Sequence, residues 1–102
     1  MVYANRKQCS SLIARFHRAG YVHNSLHTRN ILMQPGPLTR PPSLRSMDSP
    51  SFRLLDFGRT ERYDGYRWRK VHAGVGEEEI KQQWERNMRN ELMVAKELFT
   101  AV

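Results

Sequence analysis

The chain has 102 residues, enough for one small folding unit and short for two lobes around a cleft. With 39% hydrophobic and 26% charged residues and a mean hydropathy of -0.71, it predicts a thin core, and no run approaches the ~20 apolar residues of a membrane span. Seventeen Lys and Arg against ten Asp and Glu give a net charge of +7, split as thirteen against four in residues 1–75 and four against six in 76–102; such a field attracts phosphates, nucleic acid or acidic surfaces without choosing among them.

From about Ala4 to Ala19, Cys9, Leu12, Ile13 and Phe16 recur at three- and four-residue spacing among basic residues, which predicts an amphipathic helix. Gly20 is placed as its left-handed cap, with Arg15, His17 and Arg18 complementing the carbonyl end of the dipole. Cys9 has no partner for an internal disulfide and the N-terminal residues lack the apolar stretch of a secretory signal, so an intracellular setting, cytoplasmic or nuclear, is expected.

Tyr21-Val22, Ile31 to Met33 and Phe52 to Leu55 read as short strands. Residues 34–51 hold all five prolines, a composition that predicts a flexible surface insert able neither to pair as sheet nor to continue a helix. Residues 59–76 are basic and aromatic without clear periodicity and read as a loop. From Glu77 onward Ile80, Trp84, Met88, Leu92, Ala95, Leu98 and Phe99 form one stripe behind three glutamates, which predicts a second amphipathic helix over 77–100.

Two segments carry chemistry. His23-Asn24-Ser25-Leu26-His27-Thr28-Arg29-Asn30 precedes one short strand, and Asp56-Phe57-Gly58 follows the next. Together with the helix before them, and over about residues 8–63, they resemble the eukaryotic-type protein kinases and their relatives, whose catalytic loop reads His-Arg-Asp-Leu-x-x-x-Asn and whose metal-binding signature is Asp-Phe-Gly. The resemblance implies an α+β, helix-rich fold: one partial kinase-like C-lobe over 1–102, with its core at 4–63, the insert at 34–51 and the C-terminal helix at 77–100.

It also implies roles. Asn30 and Asp56 stand at the magnesium positions, hard oxygen ligands suited to a cation beside phosphates, and Asp56, Phe57 and Gly58 form the cofactor-binding signature for Mg and ATP. Ser25 stands at the catalytic base, where the family has a carboxylate; a neutral hydroxyl has little basicity, so the base is substituted. Leu26-His27 fits the His-Gly-Asp-Leu-His loop of small-molecule and sugar kinases of the same superfamily, whereas Asp56-Phe57-Gly58 leans toward the protein kinases. Outside the resemblance, Asp56 could serve only as a turn cap and Asn30 only as a bond to the loop backbone.

The glycine-rich loop and paired lysine of the family's smaller lobe are not found, nor is Ala-Pro-Glu, and with Met1 only a few residues before the first helix that lobe is not expected upstream. The expected role is therefore a truncated or pseudokinase fragment without independent activity, with weak or absent Mg and ATP binding. The partner it implies is another protein supplying the lobe; no membrane partner is expected. A basic nucleic-acid-binding module, carried by Arg59, Arg62, Tyr63, Tyr66, Arg67, Trp68, Arg69 and Lys70, is the contrasting reading. His23 is expected as a satisfied core histidine, and zinc binding by His17, His23 and His27 lacks supporting ligands.

Overall fold

The computed structural model describes residues 3–100, and the side chains of 6–98. The elements are α1 (Tyr3–Arg18), β1 (Tyr21–Val22), a 3-10 turn (Thr28–Asn30), β2 (Ile31–Gly36), a second 3-10 turn (Pro42–Leu44), β3 (Ser46–Leu54), β4 (Glu61–Arg62), α2 (Tyr63–His72) and α3 (Glu77–Thr100). The fold is α+β and helix-rich, with two small antiparallel sheets, consistent with a partial kinase-like C-lobe.

The stripe on α1 buries Cys9, Ile13 and His17 and half-buries Leu12 and Phe16. Gly20 ends the helix at φ 94°, its N–H bonded to the His17 carbonyl at 2.9 Å, a conformation that glycine adopts without penalty. Burial pushes the Cys9 thiol up to about 11, so the group serves as packing rather than as a reactive thiolate.

The proline-rich segment departs from its expectation. Residues 31–36 pair with 46–54 as a hairpin, in register Ile31 to Leu54, Met33 to Phe52 and Gln34 to Ser51, then irregularly to Gly36 opposite Ser46. The prolines permit this because of where they fall: Pro35 and Pro50 occupy the irregular stretch, and Pro37, Pro41 and Pro42 lie beyond the strands, where no ladder donor is required. Gly36 is required at the crossing, since a Cβ there would stand 2.6 Å from the Ser49 carbonyl oxygen. Arg45 closes the tip through Nε to the Arg40 carbonyl at 2.8 Å and Nη2 to that of Leu38 at 3.3 Å.

The segment read as a loop is also ordered, as β4 and α2. Tyr66 is buried, and Tyr63 and Tyr66 pack their rings on Trp84 at centroid distances of 5.3 and 5.1 Å. The interleaved cations concealed this pattern: Arg69 and Lys70 lie over the Tyr66 ring at 5.5 and 5.4 Å, covering the aromatic while keeping their charge in water.

Two apolar clusters result. One joins Cys9, Ile13, Leu26, Leu54 and Ala95; the other joins Val22, Tyr66, Ile80 and Trp84. Helix α3, about 36 Å long at 1.5 Å per residue, serves both, with Ile80, Trp84 and Met88 in the second cluster and Leu92, Ala95 and Leu98 in the first. The expected stripe is observed from Ile80 to Leu98; Phe99 lies outside the described side chains.

Because Trp84 joins α3 to α2, Trp84→Ala is expected to lower stability by about 3 kcal/mol, whereas Trp68→Ala, 62% exposed, costs about 0.5 kcal/mol or less. Thermal unfolding followed by circular dichroism distinguishes them, and equal losses would contradict this packing.

Candidate functional site

The segment after β1 turns sharply because Asn24 sits at φ 65°, a left-handed conformation that asparagine tolerates better than most residues. At its head two successive amides meet one side chain. His23 N–H donates to Glu91 Oε1 at 3.0 Å, and Asn24 N–H to Glu91 Oε2 at 2.8 Å. His17 Nε2, from α1, reaches Oε1 at 2.9 Å. A carboxylate on α3 thus receives donors from α1 and from both residues heading the loop.

Burial alone would raise the Glu91 carboxyl. The His17 bond, the two backbone N–H groups and the positive character of His17 outweigh it and hold the group below the ordinary value of 4.5. Glu91 lies in the apolar stripe of α3, four residues before Ala95 and seven after Trp84, and is only 7% exposed.

His23 is fully buried and uses both ring nitrogens. Nε2–H donates to the Leu55 carbonyl at 2.8 Å, and Nδ1 accepts the Ser25 N–H at 3.3 Å, an assignment that fits one neutral tautomer. The ring is therefore the core histidine expected from the sequence, tying the loop to the strand that leads into Asp56. Phe57 packs edge-on to it at 5.6 Å and beside Phe16 at 5.9 Å, yet remains 52% exposed.

Asn30 completes the connection. Its Nδ2 donates to the Ser25 carbonyl at 2.7 Å, and its own carbonyl accepts the Leu55 N–H at 2.7 Å. The structure therefore joins Ser25 directly to Asn30, and Asn30 through its carbonyl to Leu55, the residue before Asp56. Bonding through Nδ2 leaves the amide oxygen as the atom able to face a cation. Asp56 is exposed at φ 59°, and its Oδ1 accepts the Gly58 N–H at a long 3.4 Å, so the turn-capping bond exists and leaves Oδ2 outside it.

One carboxylate and one amide oxygen are a donor set that suits magnesium, which takes one or two carboxylates and fills its shell with water and phosphate oxygens. Among the described residues no group of three or more His, Cys, Asp or Glu could hold a metal ion by itself. The cations of residues 59–76 are partly engaged: Arg67 donates to both oxygens of Glu77, and Arg69 pairs with Glu61 at 2.8 Å.

A family model described as the lipopolysaccharide kinase (Kdo/WaaP) family matches residues 3–74, well over half of the chain and the whole of the loop and the Asp56 turn. The chain belongs to that family. No curated protein and no solved structure matches it. The Kdo/WaaP family is kinase-like but is not that of the eukaryotic-type protein kinases, so the narrower resemblance drawn from the sequence gives way to it. Glu91 lies beyond the matched residues, on the helix that braces them.

Sequence reasoning missed Glu91. The available signal was a lone acidic residue in the apolar stripe between Met88 and Ala95, where a carboxylate requires buried donors.

Because its carboxyl is held below 4.5 in the folded chain, the Glu91 contribution is fully present above that pH and is lost as pH falls through the lower folded value. Glu91→Ala, which leaves His17 and two amides without their acceptor, is expected to cost about 3 kcal/mol. In urea unfolding, the stability gap between wild type and Glu91→Gln should be constant near neutral pH and narrow below 4.5. A gap that widens on acidification would reverse the assignment.

Proposed function

We propose that the chain is a kinase-like lobe of the phosphotransferase kind, from the branch acting on hydroxyls of sugars rather than of proteins, and that by itself it does not transfer phosphate. The observation carrying this reading is Ser25, held by the Asn30 side chain at the position where the resembled families place their carboxylate base. The family's description as lipopolysaccharide kinases supports a sugar acceptor, and Leu26-His27 supports the same branch.

Each residue has a separate part. Asn30 and Asp56 would hold magnesium, which when bound neutralises charge on nucleotide phosphates. Asn30 also fixes the loop through the Ser25 carbonyl, and His23 fixes the backbone entering Asp56. Ser25 can hydrogen-bond an acceptor hydroxyl but has little capacity to take its proton, a role worth about 10²- to 10⁴-fold in rate when a proper base fills it.

Nucleotide is held weakly in this reading, because Asp56 and Asn30 provide few ligands and the chain carries no glycine-rich phosphate loop. Leu55 and Phe57, on either side of Asp56, are 40% and 52% exposed, an apolar surface suited to a second lobe from another protein.

Magnesium and labelled ATP, with a sugar acceptor, test the proposal on the chain, on Ser25→Asp and on Asp56→Ala. All three are expected to lack turnover, since restoring a base leaves charge stabilisation on the phosphates unmet. Turnover by the unmodified chain that disappears in Asp56→Ala would overturn it.

A further inference from the structure

Helix α1 has a second face. Opposite Cys9 and Ile13, the exposed Lys7, Arg15 and Arg18 line one wall of a groove of about 750 Å³, and the hairpin residues Leu38 and Phe52, with Leu12 at the helix side, supply apolar lining. From Lys7 to Arg18 the wall runs about 16 Å at 1.5 Å per residue. None of the three cations has a carboxylate partner among the described residues. Residues 1–60 contain only Asp48 and Asp56 as acids.

The hairpin extends this surface. Leu38, Leu44 and Met47 at its tip are 43%, 63% and 48% exposed, beside an exposed Arg40. Exposed apolar side chains grouped with uncompensated cations are costly in water and are stabilised where an acyl boundary lies under acidic headgroups. Nucleic acid fits less well, because single strands require exposed aromatic platforms and the groove offers only the half-buried Phe52.

We propose that the α1 groove and the β2–β3 hairpin tip dock the protein on an anionic lipid surface, Lys7, Arg15 and Arg18 meeting headgroup charge and Leu38, Leu44 and Met47 entering the acyl boundary. The expectation of no membrane partner came from the lack of a spanning segment; no helix among the described residues is long and apolar enough to cross a membrane, and surface docking requires none. The groove shares no lining residue with Ser25, Asn30 or Asp56, so the docking surface is separate from the loop chemistry.

Flotation of the whole chain with vesicles tests this, using phosphatidylglycerol mixed into phosphatidylcholine against phosphatidylcholine alone. Binding is expected only to the acidic vesicles and weakened by added salt. Lys7→Gln, Arg15→Gln and Arg18→Gln together should reduce partitioning about 100-fold, and Leu38→Ser, Leu44→Ser and Met47→Ser together by more than tenfold. All six positions are exposed, and a circular-dichroism melt confirms that each variant folds. No binding, equal binding to neutral vesicles, or binding untouched by the serine variant and displaced by soluble polyglutamate would overturn the proposal; the last would show an acidic-protein surface instead.

Discussion

Glu91 places a carboxylate where a folding chain can least easily accommodate one, in the apolar stripe of α3 between two hydrophobic clusters. Three donors make this tolerable: one imidazole nitrogen from α1 and two backbone amides from the turn after β1. A buried carboxylate with these bonds is stable only if all three elements keep their mutual positions, so one side chain couples the long helix, the first helix and the head of the loop. Just after these two amides, Asn24 turns the chain through a left-handed conformation.

From that anchor the order passes outward by short hydrogen bonds. His23, fixed by its own amide to Glu91, fixes the carbonyl of Leu55; Asn30 fixes Ser25 on one side and Leu55 on the other. Asp56 is thereby set at the end of a strand whose register is already determined by Ile31 opposite Leu54. The bonds that shape the loop involve backbone atoms and the flanking His23 and Asn30, not the side chain of Ser25.

The sequence disclosed those parts of the fold that rest on a single periodic signal. The stripes of α1 and α3 could be read because each buries one face, and the strands at Tyr21-Val22 and Ile31 to Met33 because each is a short apolar run between polar residues. The hairpin could not, since its ladder tolerates Pro35 and Pro50 only through an irregular register that composition does not reveal. Helix α2 escaped notice because Tyr66 is screened by Arg69 and Lys70, which make an amphipathic turn look uniformly basic. Ser25, Asn30 and Asp56 were singled out by motif order, but Glu91 was not: its partners are largely backbone amides, and these leave no trace in side-chain spacing.

The central claim, that the Glu91 carboxylate holds the loop through the amides of His23 and Asn24, is most directly tested by residue-resolved hydrogen exchange on the wild-type chain and on Glu91→Gln. The account predicts that His23 and Asn24 exchange slowly in the wild type and lose protection in the variant, while the amides of the α1 interior around Ile13 keep theirs. Unchanged protection at His23 and Asn24 in a folded Glu91→Gln chain would contradict it, and the loop would then be held by Asn30 and the strands alone.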